Sequence, residues 1–293
     1  MQVGFIGLGR MGHGMAHRIL GYKHDLAVFD VLSERTTEFA AAGARAAASV
    51  AEVCRGRDIV ITMLAEDAHV LDVASSSGGL RESLPRGAIH LAMGTYGIAT
   101  IRALGEIHAG AGQILVAAPV LGRPDLAASG QLGIVAAGPE DAVGRCVPLL
   151  EIIGRHTFRA GLKPEAATAI KLANNLVLGC AIQAMGEAFS LVRKYDVAPK
   201  VFYDVMTEGL FSAPAYKVYG QIIVDEAYDR AGSTINLNLK DANLILAAAG
   251  IVRVPLPSGN AFHDRLLSSI AHGDGDRDVA ALAREQARAC GLE

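Results

Sequence analysis

The stretch "VGFIGLGRMGHGMA", residues 3–16, carries glycines in the spacing G-x-G-x-x-G, at Gly7, Gly9 and Gly12. The apolar residues before the glycines predict a strand, and the residues after them predict a helix. In such a unit the first glycine permits a tight turn, the second lets the backbone approach a pyrophosphate, and the third lets the helix lie close to the strand. The helix N-terminus would direct amide groups and a positive dipole end at the phosphates.

A glycine-rich turn without a ligand is the alternative, and the complete strand–turn–helix setting favours a dinucleotide. Further residues of the turn are then expected to bind the cofactor: Leu8, Arg10 and Met11. The second predicted strand, "DLAVFD", ends at Asp30, eighteen residues after Gly12. A carboxylate there accepts hydrogen bonds from the adenosine ribose and repels a 2'-phosphate, which favours NAD. Asp30 could instead only start a turn, and Arg35 could hold a 2'-phosphate, so NADP stays possible.

Strands and helices alternate through the first half of the chain. The predicted strands are the apolar runs "QVGFIG", "DLAVFD", "DIVITML", "AIHLA", "QILVAAP" and "QLGIVAAG". This alternation predicts a doubly wound parallel sheet of the Rossmann type, because strands covered by helices on both faces are apolar throughout. Beyond residue 161 only helices are predicted: a long one over "KPEAATAIKLANNLVLGCAIQAMGEAFSLVRKYD", then 199–208, 214–227, 236–250, 257–271 and 276–290.

The predicted fold class is therefore α/β, with an N-terminal Rossmann sheet followed by an all-α C-terminal domain and joined to it by a long helix. We expect a dinucleotide-binding domain over residues 1–161 and a helical substrate and dimerisation domain over residues 162–293.

Composition narrows the choice of partners. The chain has 293 residues and a formal net charge of -3, which gives no reason to expect nucleic acid or an anionic membrane surface. No apolar run is expected to span a bilayer, and "MQVGFIGLG" lacks the basic segment of a signal peptide, so we expect a cytoplasmic protein. His13 and His17 can share a helix face, but no local acid offers a third metal ligand, so we expect no metal site.

The stretch "AIKLANNLVLGCAIQAM", residues 169–185, places Lys171, Asn174 and Asn175 in an apolar helix. A lysine is costly to bury without a partner. Asn175 lies one turn beyond Lys171, so the two side chains share a face where an amide can orient the lysine or a substrate without adding charge. The alternative is a lysine whose head group reaches water.

These features together resemble the beta-hydroxyacid dehydrogenase family. "GFIGLGRMGHGMA" is similar to its N-terminal signature, "APVLGRPDLAASGQLGIVAAG" to its substrate loop, "AIKLANN" to its catalytic helix, and "LKDANLIL" to a later Lys-Asp motif. The motifs stand in the family's order and span essentially the whole chain. The resemblance implies NAD(P)-dependent hydride transfer between nicotinamide and a small beta-hydroxyacid or its aldehyde or ketone.

The resemblance also implies roles for single residues. Lys171 would be the general acid and base, since a positioned ammonium can protonate the oxygen that hydride transfer leaves charged. Lys240 would lie near the cofactor. Asp241 would fix the position of Lys240 or cap local structure, and it is also expected to border the substrate. Thr95 matches a threonine near the nicotinamide ribose, although Ala92 and Gly94 replace the aspartate and serine of the usual Asp-x-Ser-Thr pattern. Two more residues are expected to bind the cofactor: Met63 and Leu64.

The substrate loop departs from the family pattern. Leu121 stands where the family has a serine, before Gly122, and it cannot donate a hydrogen bond. Arg123 could clamp a carboxylate with two parallel hydrogen bonds, and Pro124 would hold it extended. A surface arginine in a turn is the alternative. The small residues Ser233 and Thr234 stand where the family often has an aromatic. The substrate pocket is therefore expected to differ from the family's, and the family's substrates are not assigned to this chain.

Two other functions are left open. Imine reductases resemble this family but usually lack the lysine, so Lys171 favours carbonyl chemistry while Leu121 keeps imines in play. A non-catalytic cofactor-binding scaffold is opposed by the intact Lys171 and Asn175. The expected partner is a small-molecule carboxylate or carbonyl compound. The apolar faces of the long helix further predict a homodimer or a higher even oligomer.

Overall fold

The computed structural model describes residues 1–292. Contacts divide the chain into two compact units, Met1–Lys171 and a unit that begins at Leu172. The division falls inside a long helix, Pro164–Lys194. The sequence-based boundary at residue 161 stays a prediction.

The main sheet of the first unit is parallel. Its strands are β1 (Gln2–Ile6), β2 (Asp25–Phe29), β3 (Arg45–Ala46), β4 (Ile59–Thr62), β5 (Ile89–Ala92) and β6 (Ile114–Ala117). Their spatial order is β3-β2-β1-β4-β5-β6. Val3 of β1 lies opposite Leu26 of β2 on one side and Ile59 of β4 on the other. The strand order therefore reverses beside β1, and α/β sheets bind ligands at the carboxyl ends of their strands at such a point.

Helices pack on both faces of this sheet. They are α1 (Arg10–Gly21), α2 (Glu34–Ala41), α3 (Val50–Cys54), α4 (Asp67–Ser75), α5 (Leu80–Ser83), α6 (Ile98–Gly110), α7 (Pro124–Ser129) and α8 (Glu140–Ile153). Alternate residues of β1 enter different apolar clusters. Val3 and Phe5 pack with residues of α1 and α8, whereas Ile6 packs with residues of α3 and α5. This two-sided burial is why the strands read as continuous apolar runs.

A smaller sheet completes the first unit. It contains β7 (Val120–Leu121), β8 (Leu132–Ala136) and β9 (Gly154–Arg159), with β8 antiparallel to β7 and parallel to β9. Apolar runs do not predict β9, because its Arg155, His156 and Arg159 are exposed along the edge of the sheet.

The second unit is built of helices joined by turns and loops, with one isolated antiparallel bridge, Thr234–Asp278, among its described residues. Its helices are α9 (Pro164–Lys194, shared with the first unit), α10 (Pro199–Glu208), α11 (Pro214–Val224), α12 (Ile235–Val252), α13 (Pro257–Ala271) and α14 (Leu282–Ala289). Ile182, Met185 and Phe189 of α9 enter its core beside Phe262 of α13. A Cβ at Gly179 would lie 2.4 Å from the Phe262 ring, so a glycine is needed for the two helices to approach. The predicted α/β class with an all-helical second part is confirmed.

Two helices, α9 and α12, are long and apolar enough in length and composition to cross a membrane, with mean hydropathies of 1.4 and 1.2. The expectation that no apolar run reaches this length is therefore wrong. In α9 the apolar residues Ile182, Met185 and Phe189 are buried against the other helices of the second unit. Of the most apolar stretch of α9, 33% is buried, and one or two such helices are weak evidence of a membrane span.

Candidate functional site

The glycine turn between β1 and α1 has the geometry of a phosphate-binding turn. Gly7 has φ of 96°, in the left-handed region that favours glycine. A Cβ at Gly12 would lie 2.0 Å from the carbonyl oxygen of Gly7, so the helix lies directly on the turn. A Cβ at Gly9, by contrast, would meet no heavy atom within 4 Å among residues 1–292. The turn therefore leaves room at Gly9 for a ligand to approach the backbone, next to the first amide groups of α1.

Asp30 lies beside this turn, just beyond the end of β2, and is buried. The backbone N–H of Leu8 donates to Asp30 Oδ2 at 2.7 Å, and the N–H of Leu32 donates to Oδ1 at 2.9 Å. The guanidinium of Arg35 lies 3.5 Å from Oδ2. The carboxylate is thus fixed in place by both oxygens, and each oxygen keeps acceptor capacity for a ribose hydroxyl.

Met63 and Leu64, which follow β4, close the other side of the turn. A Cβ at Gly7 would lie 2.5 Å from the carbonyl oxygen of Met63 and 2.8 Å from Leu64 Cδ2. The backbone N–H of Leu64 donates to Tyr96 Oη at 3.2 Å. Tyr96 is 1% exposed, and burial raises the pKa of its phenol well above the usual range, so it stays protonated. The structure thus brings Gly7, Met63 and Leu64 together as neighbours.

The Tyr96 ring also explains a departure from the family pattern. A Cβ at Gly94 would lie 2.4 Å from this ring, so the serine of the usual pattern does not fit here. Asp67, at the start of α4, accepts hydrogen bonds from Gly97 N–H at 3.1 Å and from Thr100 Oγ1 at 2.7 Å. Asp67 holds the segment that follows the half-buried Thr95. Sequence reasoning missed Asp67 and Tyr96; an aromatic between small residues in "MGTYG" was the available signal.

The substrate-loop residues lie between β7 and α7. Leu121 pairs with Gly133 of β8, and Gly122 has φ of 144°. Arg123 is extended, with φ -106° and ψ 170°, directly before Pro124, which begins α7. The predicted effect of Pro124 is confirmed, and Arg123 is half-buried. Its helix packs on the helix after the glycine turn, because a Cβ at Gly14 of α1 would lie 2.8 Å from the backbone nitrogen of Ala128.

A polar cluster in the second unit joins α9 to α12. Asn175 Nδ2 donates to Asp241 Oδ2 at 2.7 Å. Lys240 Nζ donates to the other oxygen, Asp241 Oδ1, at 3.1 Å, and the side chains of Lys240 and Asp241 are 15% and 14% exposed. Thr234 directly precedes α12, the helix that carries Lys240 and Asp241, and its side chain accepts a hydrogen bond from Leu237 N–H. Thr234 is therefore the N-cap of this helix. The sequence marked Thr234 only as a small residue at a position where the family often has an aromatic, and the cap was not predicted.

Lys171 is half-buried on α9, one turn before Asn175, whereas Asn174 is exposed. Helical spacing gives Lys171 and Asn175 a common face, and Asp241 fixes the amide on that face.

Comparison with known proteins identifies the chain's relatives. A family model described as the NAD binding domain of 6-phosphogluconate dehydrogenase matches residues 2–161. A second, described as the NAD-binding part of NADP-dependent 3-hydroxyisobutyrate dehydrogenase, matches residues 166–285. The chain belongs to the beta-hydroxyacid dehydrogenase family. The predicted resemblance is confirmed, and the chain is an NAD(P)-dependent dehydrogenase of the 3-hydroxyisobutyrate dehydrogenase type.

Several known proteins match this chain over at least 94% of their own length. An oxidoreductase of Bacillus subtilis, YfjR, is 37% identical, with 97% of this chain and 99% of the relative covered. The 3-hydroxyisobutyrate dehydrogenase of Pseudomonas aeruginosa is 30% identical, with 94% of each covered. The crystal structure of 3-hydroxyisobutyrate dehydrogenase from Salmonella typhimurium superimposes with a TM-score of 0.86 at 26% identity, covering 96% of this chain and 98% of the other.

Proposed function

We propose that this protein transfers a hydride between NAD and a small beta-hydroxyacid or its aldehyde or ketone, with Lys171 as the general acid and base. The observation that carries the proposal is the hydrogen bond from Asn175 to Asp241, one helical turn from Lys171. The nicotinamide, when bound, supplies or accepts the hydride. The work left to the chain is to hold the cofactor and the substrate and to move one proton at the substrate oxygen.

The direction of the Asn175 amide supports this role for Lys171. Because Asn175 donates through Nδ2 to a carboxylate, its Oδ1 is the atom left to accept a hydrogen bond on the face shared with Lys171. A neutral acceptor orients an ammonium without forming an ion pair that would hold its proton. Both oxygens of Asp241 accept hydrogen bonds, one from Asn175 and the other from Lys240.

For the cofactor we propose NAD, with NADP as the weaker substrate. Asp30 cannot swing away from a 2'-phosphate, because backbone N–H groups of Leu8 and Leu32 hold both of its oxygens. A phosphate would therefore meet a fixed negative charge. Arg35 is the opposing feature, since its exposed guanidinium is near enough to Asp30 to accompany a phosphate.

For the substrate we propose that Arg123 binds the carboxylate. Arg123 is half-buried and extended between Gly122 and Pro124, which limits the directions open to its side chain. Leu121 supplies no hydrogen bond at the neighbouring position, so the guanidinium would replace the family's serine as the carboxylate donor. Imine reduction is the second candidate, because an apolar Leu121 suits an uncharged substrate.

The proposal is tested by a substrate screen with both cofactors. Beta-hydroxyacids, semialdehydes and cyclic imines are each assayed with NAD(H) and NADP(H). We expect turnover of a beta-hydroxyacid or its carbonyl partner, with kcat/KM at least about tenfold higher for NAD(H). In Arg123→Ala, KM should rise for the acid and stay unchanged for its uncharged analogue, whereas Arg155→Ala, an exposed arginine of β9, should leave both unchanged. Turnover confined to cyclic imines would overturn the proposal.

We further propose that the enzyme is cytoplasmic and assembles as a homodimer or a higher even oligomer.

A further inference from the structure

Two histidines on α1 meet a glutamate of α2 on the surface of the first unit. His13 and His17 are one helical turn apart, and Glu38 follows them by 25 and 21 residues. The Nε2 atom of His17 lies 2.7 Å from Glu38 Oε1, and the Nε2 atom of His13 contacts the same oxygen. The three ligand atoms lie within 4.8 Å of one another. None of these side chains takes part in the proposed reaction.

The fold holds the three groups in this arrangement. α1 and α2 follow the adjacent parallel strands β1 and β2, so the helices begin at the same edge of the sheet. Phe39, the neighbour of Glu38, is fully buried and supports both imidazoles from below. Its ring centroid lies 4.4 Å from that of His17 and 5.5 Å from that of His13. The rings therefore rest on a buried aromatic side chain, while the side chains of His13 and His17 stay 47% and 41% exposed.

The chemistry of the three donors selects a class of ion. Two imidazole nitrogens and one carboxylate oxygen suit borderline divalent ions such as Zn²⁺, whereas Mg²⁺ and Ca²⁺ prefer sets made of oxygen. Bonds of about 2.0–2.1 Å in a tetrahedron place ligand atoms roughly 3.4 Å apart. Both histidine nitrogens already approach Glu38 Oε1 within that distance, and all three ligand atoms lie within 4.8 Å of one another, so small side-chain rotations would open the space for an ion. A histidine pair at i, i+4 on a helix is a known pattern for such chelation.

We propose that His13, His17 and Glu38 bind a divalent transition-metal ion of the Zn²⁺ class, with water as the fourth ligand. The ion joins α1, which begins at the glycine turn, to α2, which begins after Asp30. Its role is to fasten two helices that border the cofactor site. The sequence offered only the histidine pair, because Glu38 is distant along the chain and reaches the pair through the fold.

Binding is measured by calorimetric titration of ZnCl₂ into the full chain after treatment with EDTA and desalting. We expect one ion per chain with a Kd on the order of 1 μM. His17→Gln and Glu38→Gln should each weaken binding at least tenfold, since each removes one of three ligands. His156→Gln, which changes an exposed histidine on β9, is the matched control and should bind as the wild type does. Unchanged binding in His17→Gln and Glu38→Gln, or no heat up to about 100 μM Zn²⁺, would overturn the proposal.

A second measurement distinguishes a chelate from a site that only attracts positive charge. Co²⁺ in place of Zn²⁺ should give the visible absorption of a four-coordinate ion, and this absorption should be lost in His17→Gln. Zn²⁺ at a hundredfold excess over Kd should raise the thermal midpoint by on the order of 5 °C. Mg²⁺ at the same concentration should have no effect. An equal shift with Mg²⁺ would contradict coordination by histidine.

Discussion

Gly9 and Gly12 belong to the same turn, yet their surroundings impose different constraints. A Cβ at Gly12 would collide with the carbonyl oxygen of Gly7 at 2.0 Å, so the fold itself requires this glycine. A Cβ at Gly9 would touch no heavy atom within 4 Å among the residues that the structure describes. We therefore expect that a need for glycine at position 9 comes from the ligand and not from the fold.

Substitution by alanine should separate the two glycines. Gly9→Ala should lower the free energy of unfolding by less than about 1 kcal/mol, the cost of alanine at a helix N-cap, while raising the Kd of NADH at least about tenfold. Gly12→Ala should cost more than about 2 kcal/mol, because backbone must move. Urea unfolding gives the stabilities, and nicotinamide fluorescence gives the affinities. NADH binding of wild-type strength in Gly9→Ala would show that the phosphates do not approach this residue.

Sequence motifs predicted the conformation of single residues where glycine or proline fixes the backbone. The turn at Gly7 and the extended Arg123 before Pro124 are examples, since glycine and proline restrict φ locally. The roles of Asp67 and Tyr96 were not predicted. Asp67 binds Gly97 and Thr100, which are distant from it in sequence, and the Tyr96 ring folds back over Gly94. Only tertiary packing shows that Tyr96 occupies the space above Gly94.

At the scale of elements, a buried polar chain connects the sheet to α6. Gln113 Nε2 donates to the carbonyl oxygens of Leu80 and Leu84, so its Oε1 must accept from His108 Nδ1, at 2.7 Å. His108 Nε2 then accepts from His90 Nδ1 at 2.7 Å, and His90 Nε2 accepts from Thr62 Oγ1 at 2.8 Å. Every member has its partner only if both imidazoles are neutral. Burial, and after it the proximity of His108, lower the pKa of His90 well below its usual value.

These buried hydrogen bonds predict how the stability of the fold changes as the pH falls. The unfolded state takes up a proton at His90 near pH 6.5, whereas the folded state does not, so stability is present above about pH 6.5 and is lost as the pH falls below it. Each such histidine adds a slope of about 1.4 kcal/mol per pH unit. Urea unfolding of wild type and His90→Gln between pH 7 and pH 5 measures the difference. In His90→Gln the slope of the unfolding free energy against pH should fall by about 1.4 kcal/mol per pH unit, whereas in the exposed His156→Gln it should not change. Equal slopes in wild type and His90→Gln would contradict a neutral buried His90.

Periodicity predicted the elements whose burial is two-sided and failed elsewhere. β4 and β5 are buried at every position and read as apolar runs. β9 lies at the edge of its sheet beside β8 and exposes charged residues, so its sequence shows no apolar periodicity. Periodicity also cannot predict the contact between α1 and Glu38 of α2, because this contact depends on β1 and β2 being neighbours in the sheet.

At the scale of the whole molecule, the apolar surface of the helical unit bears on assembly. Ile182, Met185 and Phe189, which make α9 look too apolar for a monomer, are buried in the core of their own unit. Apolar side chains nevertheless remain exposed on the same helix, with Val177 at 70% and Leu191 at 61%. Exposed apolar groups of this kind mark contact surfaces when they cluster.

We expect light scattering at micromolar concentration to give the mass of a dimer or a larger even oligomer. Val177→Glu should shift the mass toward the monomer, because a carboxylate would be buried without a partner in the contact. Lys194→Glu, at the exposed end of the same helix, is the control for added negative charge. A monomeric wild type would contradict the predicted assembly.

The acid–base role proposed for Lys171 is tested by single-turnover kinetics of Lys171→Ala with NADH and a carbonyl substrate. Turnover should fall by roughly two to four orders of magnitude. The Kd of NADH should stay at the wild-type value, because we propose that the glycine turn and Asp30 hold the cofactor. Lys171→Arg should not restore turnover, since a guanidinium keeps its proton. The exposed neighbour Asn174→Ala should behave as the wild type. Near-wild-type turnover in Lys171→Ala would contradict the acid–base role.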